Sequence, residues 1–271
     1  MNGLEKLCGP FPHIMGIVNC TPDSFYPGSR STGVDQAVER GLEMVSAGAS
    51  ILDIGGESSR PGSASISEEE ELQRILPVIR GIRKKTDLPI SVDTRKSGVA
   101  RAALDAGADL INDITALNDD PELAPLIAER GVPVILMHMH GSPLTMQEDP
   151  QYDEPVVQVR RALAEAAERA MNAGVLRENI ILDPGIGFGK RLDHNIALLK
   201  GLNRLKELDF PILIGLSRKS MLGDLTGRDV EARLASSIAA HSYCLMKGAD
   251  ILRVHDVSEA VDTVKIIREL L

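Results

Sequence analysis

The chain has 271 residues, a net charge of −9 and a 43% hydrophobic fraction. Its length matches one eight-unit α/β barrel of roughly 250 residues, so a single domain over residues 1–271 is expected. The acidic balance argues against nucleic acid as a partner, and an anionic small ligand would need a local basic cluster. No apolar run reaches the roughly 18 residues of a membrane span, and Met1–Pro12 lacks the apolar centre of a signal peptide. The odd, scattered cysteines Cys8, Cys20 and Cys244 fit a reducing cytoplasm better than a disulfide framework.

In chain order, short Ile/Val/Leu runs recur at His13–Val18, Ser50–Ile54, Ile90–Asp93, Leu110–Asp113, Pro133–Met137, Ile180–Asp183, Ile212–Gly215 and Ile251–Val254. Continuous apolar runs of this length are expected of parallel strands buried on both faces. Helical periodicity fills the gaps. Val34, Val38, Leu42 and Val45 make one stripe, and Leu72, Ile75, Leu76 and Ile79 another. The second helix should open with a capping box, Ser67 to Glu70, and Pro77 should kink it. Glu68–Glu71 reads as a solvated first turn favoured by the helix dipole. Eight strands with helical crossovers predict an α/β (β/α)8 TIM barrel, although the pattern alone also allows an open doubly wound sheet.

A short internal repeat supports closure. Gly48-Ala-Ser-Ile-Leu-Asp53, Gly107-Ala-Asp-Leu-Ile-Asn112 and Gly248-Ala-Asp-Ile-Leu-Arg253 share one spacing. The glycine suits the left-handed position after a helix, and the polar residue five positions later falls near the carboxyl end of a strand, where barrel active sites are built. Strand-end polar residues are otherwise helix caps or solvent contacts. Here every strand ends this way: Asn19, Asp53, Glu57, Asp93, Asn112, Asp113, His138, Asp183, Ser217, Arg218, Lys219, Arg253, His255 and Asp256. Asp93, Asn112 and Asp183 offer acceptors and donors suited to an amide-rich heterocycle. Lys219 and Arg253 can meet phosphate oxygens. Asn19 beside a phosphate could hold Mg²⁺, which takes few protein ligands.

Seven stretches at these strand ends together resemble dihydropteroate synthases. They are Met15-Gly-Ile-Val-Asn-Cys-Thr-Pro-Asp-Ser-Phe25, Asp53-Ile-Gly-Gly-Glu-Ser-Ser-Arg-Pro-Gly62, Ser91-Val-Asp-Thr94, Ile111-Asn-Asp-Ile114, Asp183-Pro-Gly-Ile-Gly-Phe-Gly-Lys190, Gly215-Leu-Ser-Arg-Lys-Ser220 and Arg253-Val-His-Asp-Val257. The resemblance implies that Asp93, Asn112, Asp183 and Lys219 hold a pterin, with Met137 and Phe188 against its ring or pocket wall. It implies that Asn19, Arg253 and His255 hold pyrophosphate, with Asn19 also reaching Mg²⁺. Phe25, Ser59, Arg60, Pro61 and Ser220 would form the p-aminobenzoate side. Of these, Asn19, Asp93, Lys219, Arg253 and His255 would carry the chemistry. Loops 19–32 and 55–66 would act as lids, and the family suggests a homodimer, for which the apolar helix Ala235–Met246 is a candidate face.

The sequence departs from the family at Tyr26-Pro27-Gly28-Ser29, where Ser-Asp-Gly-Gly is usual, so Pro27 replaces an acidic residue. Ser59 stands where Thr is common and His140 where Gln is common. Two rival functions share the barrel: a pterin-dependent methyltransferase and a non-catalytic pterin-binding protein. Among local motifs, His138-Met-His140 has the look of a zinc pair but follows the fifth strand rather than the first. Gly185-x-Gly187-x-Gly189-Lys190 lacks the spacing of a nucleotide loop, and Gly185 and Gly187 should instead let backbone approach the pterin. His241 is expected as a packed or surface residue, and Cys20 has no sequence-near base to make it a nucleophile.

Overall fold

A computed structural model describes residues 4, 10–21, 30–60 and 62–270. Its strands are β1 (His13–Asn19), β2 (Ile51–Gly55), β3 (Ile90–Asp93), β4 (Leu110–Asp113), β5 (Val134–Met137), β6 (Ile180–Asp183), β7 (Leu213–Gly215) and β8 (Ile251–Val254). The helices are α1 (Arg30–Ser46), α2 (Glu68–Arg83), α3 (Ser97–Asp105), α4 (Leu123–Arg130), α5 (Pro155–Asn172), α6 (Leu192–Lys200), α7 (Leu202–Lys206), α8 (Ser220–Thr226), α9 (Leu234–Met246) and α10 (Val257–Leu270). The strands run parallel in the order β6-β5-β4-β3-β2-β1-β8-β7. A bridge between Leu182 and Ile212, with Leu182 N–H donating to the Pro211 carbonyl at 2.9 Å, joins β6 to β7 and closes the cylinder. The fold is the (β/α)8 barrel the spacing predicts, not the open sheet. Every predicted strand lies within one residue of its observed bounds.

Strand periodicity divides the core into two parts. Outward-facing Ile14, Leu52, Ile54, Val92, Ile111, Leu182 and Leu252 pack against the helices in the larger cluster. Inward-facing Met15, Ile51, Leu110, Ile135, Ile181, Leu213 and Ile251 fill the lower barrel, with Leu4 among them. Two residues further along the same strands the inner face turns polar, to Asp53, Asn112, Asp183 and Arg253. Because the side-chain period is two, apolar floor and polar mouth come from single strands without a change of register.

The glycines that open the repeat have φ of 98° (Gly48), 108° (Gly107) and 93° (Gly248), the left-handed conformation their position after a helix requires. Three helical details differ from expectation. The buried face of α1 is Ala37, Gly41 and Met44, one residue off the Val34–Val45 stripe, whose valines pack at its margin. Ser67 caps α2 by accepting from Glu70 N–H at 3.2 Å, but the Glu70 carboxylate bonds Arg74 at 2.5 Å instead of returning to Ser67, so half of the capping box forms. Pro77 lies inside this helix, as expected. Glu71 is not solvated: it is 1% exposed and its Oε2 accepts from Lys96 Nζ at 2.5 Å.

Candidate active site

The last residues of the repeat meet inside the barrel mouth. Asp53 is fully buried, and its Oδ2 accepts from Asn112 Nδ2 at 3.1 Å and from Arg253 Nε at 2.6 Å. Arg253 Nη2 donates to Asp93 Oδ2 at 2.9 Å. One guanidinium therefore ties β8 to both β2 and β3. Asp53 Oδ1 is buried without a hydrogen-bond partner among the described residues. Burial pushes the Asp93 carboxyl up to about 7, because loss of water outweighs the attraction of Arg253, and Asp53 and Glu71 add repulsion. Burial likewise raises Asp183, against the pull of Lys219 and the Gly185 N–H, which donates to Asp183 Oδ1 at 2.7 Å.

On the opposite wall, Lys219 Nζ lies 4.4 Å from the Phe188 ring centroid and donates to the Ile186 carbonyl. Burial depresses the Lys219 ammonium to about 8, with Asp183 pulling it back up and Arg253 pushing it further down. Met137 is buried at the end of β5, beside Asp183 in register. His255 N–H donates to Ser217 Oγ at 3.2 Å, and its Nδ1 shares a 3.1 Å bond with the same hydroxyl. Burial, then Arg253, lowers His255 to about 4, so its ring is neutral near pH 7. Asn19 ends β1, exposed and level with Gly55. Ser59 is half-buried, while Arg60 and Ser220 are exposed. Phe25 and Pro61, with Pro27 of the divergent stretch, lie outside the described residues.

The structure thus gathers Asp93, Asn112, Asp183, Lys219, Arg253 and His255 at one rim. Some strand-end residues have local work instead. Asp113 accepts from Thr115 N–H at 2.8 Å and Leu117 N–H at 2.6 Å, holding a turn where Ala116 and Leu117 have positive φ. Arg218, at φ 57°, forms a bidentate pair with Asp256 at 2.7 and 3.0 Å. Gly185 has φ 64°, and a Cβ there would strike the His138 carbonyl. A Cβ at Gly187 would lie 3.4 Å from Lys219 Cδ. At both positions a side chain would crowd neighbouring protein atoms. His241, on α9, is 3% exposed, which places it among the packed alternatives. Cys20 is buried and its thiol is pushed up to about 12, far from a nucleophilic thiolate.

Two participants have no role in the sequence reading. Asp53 was legible only as one strand-end acid, although the repeat aligns it with Asn112 and Arg253. Lys190, 3% exposed, donates from Nζ to the carbonyls of Gly185 and Phe188 at 2.9 Å and of His138 at 3.1 Å. It braces the turn that carries Phe188, and burial lowers it to about 7. A cavity of about 470 Å³ lies at the other end of the barrel, lined by Phe11, Arg177, Phe210, Pro211 and Asp250, all just before strands. The amino-terminal face of such barrels serves stability, and the ionisable groups that converge across strands are at the carboxyl face.

A closed barrel with buried acids, an amide and two cations converging at its carboxyl rim defines an enzyme that reads a polar ring beside an anion. The family model described as pterin binding enzyme matches residues 15–255. Dihydropteroate synthase of Escherichia coli K12 is 46% identical over 260 residues, covering 96% of this chain and 92% of the relative. Xanthomonas albilineans dihydropteroate synthase with 4-aminobenzoic acid superposes with a TM-score of 0.91 at 46% identity, covering 98% of this chain and 97% of that one. The same enzyme in complex with 7,8-dihydropteroate gives 0.87 at 44% identity, covering 96% and 94%. A Yersinia pestis dihydropteroate synthase in complex with a sulfonamide drug gives 0.91 at 44% identity, covering 96% and 94%. The chain belongs to the pterin-binding enzyme family and, within it, to the dihydropteroate synthases.

Proposed function

We propose that the protein is a transferase of folate biosynthesis: it condenses 6-hydroxymethyl-7,8-dihydropterin pyrophosphate with p-aminobenzoate, yielding 7,8-dihydropteroate and pyrophosphate. The observation that carries this is the convergence of Asp93, Asn112 and Asp183 with Lys219 and Arg253 in one half-buried mouth. Asn112 and the two aspartates supply the donors and acceptors for the pterin edge, with Met137 and Phe188 against its faces. Arg253, His255 and Asn19 face the pyrophosphate, where Arg253 and the Lys219 ammonium stabilise charge gathering on the leaving oxygens. Ser59, Arg60 and Ser220, with Phe25 and Pro61, form the p-aminobenzoate side.

An arylamine is a neutral nucleophile near pH 7 and needs no strong base. The demanding event is therefore loss of pyrophosphate. The methylene C–O bond breaks with its electron pair on oxygen, the buried aspartates stabilise the cationic pterin, and the amine lone pair then forms the C–N bond and sheds one proton. Among the described residues no three His, Cys, Asp or Glu side chains converge as a metal cage. An exposed Asn19 amide beside a diphosphate suits Mg²⁺, which keeps most of its water and leans on substrate oxygens. Bound there, the ion would supply neutralising charge to the leaving group. Pyrophosphate release, measured with the dihydropterin pyrophosphate and Mg²⁺, tests the reading. Turnover is expected with p-aminobenzoate and competition by sulfonamides. No release under any condition would return the protein to the non-catalytic pterin-binding alternative, and release that strictly needed p-aminobenzoate would remove the dissociative order.

The functional unit proposed is a cytoplasmic homodimer joined through α9, on which Met246 is 53% exposed. Among the described residues no helix is long and apolar enough to cross a membrane. Light scattering should give twice the chain mass, and Met246→Glu should halve it.

A further inference from the structure

We infer that Arg95 is a positioning residue that sets affinity for the arylamine substrate by clamping both stems of the loop after β2; this rests on the p-aminobenzoate role proposed for Ser59 and Arg60. Among its described residues that loop has no helix or strand between Gly55 and the Ser67 cap, so its shape must come from bonds to its surroundings. Its first stem is held by Arg74 Nη1 donating to the Gly56 carbonyl at 2.7 Å and by the Glu57 carboxylate. Glu57 Oε1 accepts from Arg95 Nη2 at 2.9 Å, and Oε2 accepts from Lys96. The same Arg95 Nη2 donates at 2.9 Å to Ser65 Oγ on the second stem, and Nη1 pairs with Asp119 after β4. Arg95 thus touches both ends of the segment bearing Ser59 and Arg60, and its own chain position is two residues past Asp93.

The charge state is secure. Burial pushes Glu57 up, but the bonds from Lys96 and Arg95 outweigh it and hold the carboxyl below its usual value. Residues Glu57, Ser59, Asp93 and Arg95 border one small shared cavity, so the clamp abuts both substrate halves of the site. A planar fork with five donors can serve Glu57, Ser65 and Asp119 together; the compact ammonium of lysine, on a flexible and shorter-reaching side chain, cannot serve three such separated acceptors in fixed geometry. Releasing the clamp frees the second stem at Ser65 and leaves Glu57 to Lys96 alone, while Gly62 N–H still donates to the Pro143 carbonyl at 2.9 Å; the looser stems add conformations in which the hydroxyl and guanidinium miss the carboxylate.

The test uses full-length Arg95→Gln, Arg95→Lys and the milder Ser65→Ala. Expected for Arg95→Gln is a rise of roughly tenfold in KM for p-aminobenzoate, with the dissociation constant for dihydropterin pyrophosphate within about twofold. Hydrogen exchange of the 56–66 peptide should accelerate, Arg95→Lys should recover part of the loss, and Ser65→Ala should move KM in the same direction by less. Arg60→Ala is the control. If it leaves the p-aminobenzoate KM unchanged, the loop's substrate role fails; if it raises KM while Arg95→Gln and Ser65→Ala leave KM and exchange unmoved, the clamp fails. Equal losses for both substrates in Arg95→Gln would also overturn it, since that is what general loosening produces.

Discussion

The lower and upper halves of the barrel interior are made by the same strands, yet they solve different problems. In β8, Ile251 is fully buried in the apolar floor, and Arg253, two residues on, is tied to Asp53 and Asp93. The floor gains stability from apolar area removed from water, about 25 cal/mol per Å². The mouth holds buried charges whose desolvation offsets much of their attraction, so it adds little stability for its number of contacts. What it provides is a set of oriented donors and acceptors that need no rearrangement when charge develops on a substrate. The period of two lets one strand do both.

The sharpest test of this division compares those two residues. Arg253→Met should lower kcat/KM by about a thousandfold or more, through loss of leaving-group stabilisation. It should also leave Asp53 and Asp93 uncompensated, which Asp53→Asn combined with Asp93→Asn would relieve. Ile251→Ala should cost about 2–5 kcal/mol in urea unfolding, as other large-to-small floor substitutions do. Its kcat per folded molecule should stay near that of the parent. If Ile251→Ala lost activity as heavily as Arg253→Met, the two halves would not be separable.

A smaller effect concerns the ammonium. With Lys219 depressed to about 8, kcat/KM should decline as pH rises through that value, as the charge facing the pterin and the leaving group is lost. Lys219→Met should lose about a hundredfold at pH 7 and show no such limb, and residual activity in Lys219→Arg should persist above it. A pH–rate profile with the alkaline limb retained in Lys219→Met would assign that limb elsewhere.

Stability should carry its own pH signature. The Asp93 carboxyl is raised from 3.8 to about 7 in the folded state. The folded protein therefore binds more protons than the unfolded chain in that window, and the contribution of Asp93 to stability is full below 3.8 and lost as pH rises through about 7. Asp93→Asn should flatten the fall in unfolding free energy between those values. The floor residues around Ile251 are themselves aliphatic, so Ile251→Ala should shift the whole curve without changing its slope between those values.

Much of this was readable from local pattern. Buried parallel strands are short runs of Ile, Val and Leu, and the glycine repeat places Asp53, Asn112 and Arg253 at equivalent strand positions. What was not readable is who meets whom. The partners of Asp53 are 59 and 200 residues away in sequence, and closure of the barrel makes them neighbours. Glu71 looks like part of a solvated acidic turn until Lys96, 25 residues on, is folded against it. Lys190 reads as the tail of a glycine loop, because the backbone carbonyls it satisfies carry no sequence signature. The α1 stripe is misplaced by one residue because glycine and alanine, not the valines, make its closest face to the barrel.

The smallest expected effect probes where the mouth ends and ordinary helix chemistry begins. Ser67 closes the loop that bears Ser59 and Arg60, but its hydroxyl points into α2 and accepts from Glu70 N–H at 3.2 Å. Removing it leaves one amide of the first turn without its protein acceptor, a loss of about 1 kcal/mol. Four acidic residues, Glu68 to Glu71, favour the positive end of the helix dipole and remain in place, so the helix should still form. Ser67→Ala should therefore lower the unfolding midpoint in urea slightly and leave the KM of both substrates unchanged. An altered p-aminobenzoate KM in this variant would mean that the start of α2 belongs to the catalytic half of the barrel, and that the boundary with its scaffold lies further from the rim than the side-chain contacts indicate.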